Sequence, residues 1–263
     1  MALIETRVDA RGVAELVLNR PEKHNALSAQ MMTELVTAAD ALAADESVRV
    51  VVLAAEGTSF CAGGDLAWMR EQFEMDGETR RRESRRIAEA LSALAALPQP
   101  LIGRVQGNAF GGGMGLISVC DVVVGVEGAK FGFTETRLGL LPANIGPYVI
   151  ARMGGTKARA VFMSARLFGA EEAQSLELLN RVVAPEALDA AVAAEVAPYL
   201  TCAPGAVRES KALLNALAGQ VTPAQVDMAI DALAARWETS EAQEGIAAFF
   251  DKRPAPWADP KPE

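Results

Sequence analysis

Hydrophobic and polar positions change their spacing about two thirds of the way along the chain. Before that point β-rich runs alternate with helical patterns. Leu3–Arg7 and Val13–Leu18 read as strands, the second stopped by Asn19-Arg20-Pro21. Apolar residues then recur at helical spacing, with Met31, Leu35, Ala38, Ala39 and Leu42 on one face. Ser28 is a suitable N-cap, so a helix is predicted to about Ala44. Arg49–Ala54 is nearly unbroken apolar sequence, as expected of a strand covered on both faces, and Glu56-Gly57-Thr58 ends it. Beyond the glycine loop FCAGGDL, a helix is predicted from about Arg80 to Ala96 and a strand over Leu101–Val105. A glycine-rich turn and a helix through about Val119 follow, then strands over Asp121–Val126 and Lys130–Phe133. After about Gly154 the sequence turns alanine-rich. Helices are predicted over 156–164, 170–176, 187–202, 204–218 and 223–250. There is no strong linker and no repeat of solenoid length. The pattern implies an α/β core with a helical C-terminal extension.

Composition narrows the function. The chain has 263 residues, 51% of them hydrophobic, enough for one large core and too many for wholesale disorder. A net charge of −9 argues against a nucleic-acid partner. No apolar run reaches the roughly 18–20 residues of a membrane helix. Glu5, Arg7, Asp9 and Arg11 stand where a signal peptide would be apolar. Cys61, Cys120 and Cys202 show no C-x-x-C spacing and leave an odd one over. A soluble protein of a reducing, cytoplasmic compartment is expected, with no membrane partner. His24 is the single histidine, which leaves acid–base chemistry to a carboxylate and disfavours a His/Cys metal site.

Two glycine turns stand out. Gly107-Asn-Ala-Phe-Gly111-Gly112-Gly113-Met-Gly115 follows a predicted strand and opens a helix, exposing backbone N–H groups where the helix end favours negative charge. Close strand–helix packing is the alternative use of those glycines. The second turn, Phe60-Cys61-Ala62-Gly63-Gly64-Asp65-Leu66, has the same context, and convergence of the two would make an oxyanion hole. A plain turn with Asp65 capping its helix is the alternative there.

Five blocks in order, NRPEKHNALS (19–28), FCAGGDL (60–66), QGNAFGGGMGL (106–116), KFGFTETRLGLLP (130–142) and FFDKRPAPW (249–257), resemble the crotonase, or enoyl-CoA hydratase/isomerase, superfamily over essentially the whole chain. The resemblance implies a spiral of ββα units over 1–200 carrying an acyl-CoA site, and a helical oligomerisation region over 201–263. Trimers, often paired as hexamers, are implied. The resemblance also implies an acyl-CoA thioester as substrate, with no separate cofactor because coenzyme A would enter with the substrate. The backbone amides of Gly64 and Gly112 are implied as the thioester-oxygen donors. Lys23, His24 and Ala26, with Gly64, Asp65, Leu66 and Ala67, map onto the CoA-binding stretches. His24 reads equally well as a surface loop residue.

Typical hydratases of the family use two glutamates. Glu135 matches one, and its setting among Phe131, Phe133 and Leu138 predicts a raised pKa. The other position is Gly115 here. Family isomerases also keep a single glutamate, so a 3,2-enoyl-CoA isomerase is one alternative and a non-catalytic acyl-CoA binder a remoter one. The stretch 135–154 most resembles bacterial methylglutaconyl-CoA hydratases of leucine breakdown. In it, Asn144 or Tyr148 stands as a replacement for the missing glutamate in positioning water. Trp68 and Met69 are candidates for the acyl pocket and equally for packing. Arg80, Arg81, Arg82, Arg85 and Arg86 are interleaved with Glu78, Glu83 and Glu89. They favour a solvated helix face over a site for phosphate or a distal carboxylate. Arg236, Trp237, Phe249, Phe250 and Lys252 lie in the tail that the resemblance packs against a neighbouring subunit, with Lys252 near phosphate. Cys61 and Cys120 read as core residues.

Overall fold

The computed structural model describes residues 2–217 and 222–254, less the side chains at 216, 217, 236 and 241. The Arg236 side chain and the 255–257 part of the last motif therefore lie outside the described residues.

The chain opens with an antiparallel pair, β1 (Ile4–Val8) and β2 (Val13–Leu18), followed by α1 (Ala29–Ala44). Ser28 caps α1 by accepting from the Met31 N–H. The core is then built from a repeated step. Each step lays one strand in a large sheet and a short strand in a small sheet, then turns into a helix. The first step is β3 (Val50–Ala55), β4 (Ser59–Cys61), α2 (Leu66–Phe73) and α3 (Gly77–Ala95). The second is β5 (Leu101–Val105), β6 (Asn108–Phe110) and α4 (Gly112–Val119). The third is β7 (Val122–Val126), β8 (Lys130–Gly132), a 3₁₀ turn over Glu135–Leu138 and α5 (Gly146–Val161). The large sheet is ordered β1-β2-β3-β5-β7-β10, parallel from β2 onward, and closes on β10 (Arg181–Val183). The small sheet is β4-β6-β8-β9, ending on β9 (Phe168–Gly169).

This step decides where a site can form. Strands β4, β6 and β8 pair in parallel, so the turns that leave them are stacked side by side. Those turns hold Gly63–Asp65, Gly111–Gly112 and Glu135. All six residues of β3 are buried, as the unbroken apolar run predicts.

After β9 come α6 (Ala170–Ser175), α7 (Leu188–Leu200), α8 (Pro204–Leu217), α9 (Pro223–Trp237) and α10 (Ser240–Phe250). Two helical expectations change. The predicted 156–164 helix is the second piece of α5: an unpredicted first piece starts at Gly146, where Pro147 suits a helix start, and Gly154, at φ 72° and ψ 158°, breaks the helical geometry between the two. The predicted 223–250 helix is two, since Thr239 leaves helical geometry and caps α10 through the Ala242 N–H. No single helix among the described residues is long and apolar enough to cross a membrane.

Candidate active site

The stacked turns line a cavity of about 370 Å³. A Cβ placed on Gly111 would lie 3.2 Å from Glu135 Oε1 and 3.7 Å from the Gly63 Cα, so both glycine turns and one carboxyl group meet within the space of a methyl group. Gly63 (φ 97°) and Gly111 (φ 48°) hold backbone that a side chain would strain.

The amide directions follow from the bonds around them. The Gly63 carbonyl oxygen accepts from the Leu27 N–H at 2.7 Å. A trans peptide points its N–H opposite its C=O, so the Gly64 N–H faces away from Leu27. The Gly111 carbonyl accepts from the Met114 N–H at 2.9 Å, along the axis of α4, so the Gly112 N–H points back out of the helix start. Neither N–H has an acceptor among the described residues, and both glycines line the cavity. Two free amides and the positive end of α4 suit an oxygen that is gaining charge.

Glu135 faces them from the 3₁₀ turn. Its Oε2 is buried without a hydrogen-bond partner. Burial pushes the carboxyl group up to about 7, opposed only by its own backbone N–H. The raised pKa predicted from its apolar setting is present, and near neutral pH the group can either hold or release a proton. The Gly115 position offers no second carboxylate. A Cβ there would lie 2.6 Å from Ile145 Cγ2 and 2.9 Å from Leu91 Cδ1, so apolar groups from α3 and the segment before α5 occupy the space. Asn144 lines the same cavity, buried, with Oδ1 unpartnered. Tyr148 does not reach the wall: its hydroxyl donates to the Ala88 carbonyl at 3.2 Å, which removes it as a water-positioning candidate.

The other predicted site residues divide. Leu66, Trp68 and Met69 line the cavity. Asp65 turns away from it: Oδ1 caps α2 through the Ala67 and Trp68 N–H groups, and Oδ2 accepts from Arg20 at 2.6 Å. Burial raises its pKa, but the helix amides and Arg20 outweigh this and hold it below the usual carboxylate range. Ala67 is exposed and off the wall. Lys23 and His24 are exposed on the loop that leads to Ala26, beside the site rather than in it. His24 Nδ1 sits 3.1 Å from Ser59 Oγ, and its carbonyl accepts from the Ala62 N–H. Lys252 is exposed in the turn after α10 and off the wall of this cavity. Cys61 and Cys120 are buried, with thiols pushed up to about 12, and are inert.

The roof of the cavity is what local sequence patterns miss. Leu233 and Trp237 of α9 and Phe249 of α10 line it, so the tail covers this chain's own pocket. A second apolar cluster of Leu140, Leu233, Trp237, Ala242 and Ile246 holds the tail there, with Met69 and Phe73 packed against it. Three of the five arginines, Arg80, Arg81 and Arg85, form a latch to the tail, while Arg82 is exposed and Arg86 pairs with the interleaved Glu83 as a solvated face would have it. Arg80 is buried, donates from Nε to the Gln72 carbonyl, pairs with Glu238 and lies 5.6 Å from the Trp237 ring centre. Arg81 pairs with Asp231 at 2.5 Å, and Arg85 with Asp227. Spacing on α3 suggested only neighbouring glutamates, whereas the acidic partners of Arg80, Arg81 and Arg85 lie on or just after α9, more than 140 residues further along the chain.

Comparison with known proteins agrees with this architecture. A family model described as Enoyl-CoA hydratase/isomerase matches residues 9–260. A Thermus thermophilus protein bearing the provisional name of an enoyl-CoA hydratase is 38% identical over 253 residues, spanning 94% of this chain and 98% of its own. Among solved structures, an enoyl-CoA hydratase from Mycobacterium avium superposes with a TM-score of 0.86 at 30% identity, covering 98% of this chain and 100% of that one. Pseudomonas aeruginosa AtuE gives 0.80 at 36% identity, with 98% and 100% covered. With the expected spiral in place and the match running nearly end to end, the chain belongs to the enoyl-CoA hydratase/isomerase family.

Proposed function

We propose that this enzyme adds water across the double bond of a 2-enoyl-CoA thioester, with 3-methylglutaconyl-CoA as its substrate. The observation that carries the reading is Glu135, the one carboxyl group among the described lining residues and with its Oε2 buried, set against two unpartnered backbone N–H groups, Gly64 and Gly112. One carboxylate is enough to close the proton circuit. Ionised Glu135 takes a proton from water as the water oxygen bonds to C3. The electron pair of the C2–C3 double bond moves toward the thioester oxygen, which the two amides hold as an enolate. Protonated Glu135 then delivers that proton to C2 and returns to the carboxylate. Addition is syn, and no cofactor is consumed.

Asn144 favours hydration over double-bond migration, because its unpartnered side-chain oxygen on the cavity wall suits a bound water. The substrate reading draws on the resemblance of 135–154, and on Arg137, the one cation among the described lining residues, which suits an acyl group ending in carboxylate. Lys23, His24, Ala26 and Lys252 are proposed to bind the nucleotide end of coenzyme A. Isomerisation is the second reading, favoured by the apolar filling at Gly115: Glu135 would carry a proton between C4 and C2 without water.

The test is turnover of 3-methylglutaconyl-CoA by purified protein, followed by loss of the conjugated enoyl-thioester absorbance and by product mass. Loss of absorbance with a gain of one water supports hydration. Conversion of a 3-enoyl-CoA to the conjugated isomer, with no mass change and no hydration, would replace it by the isomerase reading. The proposal extends to assembly as a homotrimer or hexamer, for which exposed Ile150, Met163, Leu213, Leu214 and Met228 supply apolar surface. Light scattering in solution tests that part separately.

A further inference from the structure

The largely shielded ion pair between Arg20 and Asp65 takes no part in the proton circuit, yet it grips the peptide next to the proposed oxyanion donor. We propose that Arg20 is a positioning residue: by fixing Asp65 and the 20–27 loop it holds the Gly64 N–H in the direction the thioester oxygen requires. The inference rests on the reading of Gly64 as an oxyanion donor.

The geometry is specific. Arg20 Nη1 donates to Asp65 Oδ2 at 2.6 Å and to the Ala26 carbonyl at 3.2 Å, joining the two strands of chain that flank Gly64. Leu27 completes the grip, its N–H bonding the Gly63 carbonyl at 2.7 Å and its carbonyl accepting from the Asp65 N–H at 3.0 Å. Arg20 is itself anchored. Its backbone N–H donates to Asn25 Oδ1, and Asn25 Nδ2 donates to the Glu56 and Ser59 carbonyls. The peptide between Gly63 and Gly64 needs such restraint, because neither neighbour has a side chain to oppose its rotation. If the Gly63 carbonyl turned toward the cavity, the N–H would turn away and the site would present an acceptor where it needs a donor. The pair is well shielded, with the Arg20 side chain 18% exposed and that of Asp65 8%.

Arg20 lies three residues before Lys23, so a direct contact with a CoA phosphate is the competing role, and the kinetics separate the two. Arg20→Gln, Arg20→Lys and Asp65→Asn are made in the full chain, with folding checked by circular dichroism. Asp65→Asn keeps an oxygen for the α2 cap while removing the anion, and it serves if Arg20→Gln does not fold. The probe is 4-dimethylaminocinnamoyl-CoA, whose absorption moves to the red when its thioester oxygen is hydrogen-bonded. Arg20→Gln and Asp65→Asn are each expected to lower kcat about 100-fold, the scale of a small misplacement at a reacting centre, with KM changed less than about threefold. The red shift shrinks at saturating probe, and Arg20→Lys recovers part of both. A rise in KM with kcat and red shift intact overturns the inference in favour of phosphate binding. A full red shift in Arg20→Gln overturns it as well. No red shift in the unaltered protein overturns the oxyanion reading and this inference with it.

Discussion

The floor and the roof of the cavity are built by different means. In the floor, the Gly63–Asp65 and Gly111–Gly112 turns are fixed by backbone hydrogen bonds, positive-φ glycines and the pairing of three short strands. In the roof, α9 and α10 are held by a small apolar cluster and by ion pairs to α3. Backbone bonding fixes atoms to a fraction of an ångström, which chemistry needs. Side-chain packing can be exchanged residue by residue, which suits a surface that shapes itself to an acyl group. On the proposed function, the difference puts the chemistry in the floor and acyl selection in the roof.

The largest expected effect falls on the floor. Glu135→Gln should lower kcat by roughly 1,000-fold, within the range for loss of a general acid–base group, while leaving acyl-CoA affinity nearly unchanged. Single-turnover kinetics together with product binding by calorimetry check both halves. Should turnover survive, the floor is a binding surface and the comparison fails.

Next is the roof. Trp237→Ala removes a ring that packs edge-on to Phe73, with centroids 5.5 Å apart, and lies beside Arg80. Such truncations cost on the order of 3–5 kcal/mol of local packing. The expected outcome is a raised KM and weakened discrimination among acyl groups, with kcat far less affected. Equal losses in kcat would place the tail in the chemistry.

Titration sharpens the contrast further. A carboxyl group raised to about 7 is ionised too late as pH rises. The folded state therefore binds more protons than the unfolded state between about pH 4.5 and 7, and stability falls across that window. Hydration that begins with ionised Glu135 should show kcat/KM declining below about pH 7. Glu135→Gln should stabilise the protein at pH 8 by up to about 3 kcal/mol and scarcely at pH 4. Urea titrations at the two pH values measure it.

Much of the floor is legible in sequence because its signals are local. The glycine turns, the Asp65 cap and Glu135 each sit within a few residues of what defines them. The roof is not, because Arg80 and its partner Glu238 are 158 residues apart and nothing near either one names the other. Short strands such as β9, two residues long, also fall below any readable period. Gly115 announces a missing carboxylate, but not that Ile145 and Leu91 fill its place.

The smallest effect concerns the latch. Arg81 and Asp231 are 44% and 58% exposed, so a double-mutant cycle should give a coupling below about 1 kcal/mol that fades with salt. A larger coupling would make the roof an electrostatic device rather than a packed one.

The roof is also synthesised after the floor. As the protein leaves the ribosome, every strand of both sheets and every residue of the proposed oxyanion hole emerges before Leu233, Trp237 and Phe249. The groups proposed to react thus leave the ribosome before the side chains that cover them, and the cavity is complete only with α9 and α10 docked.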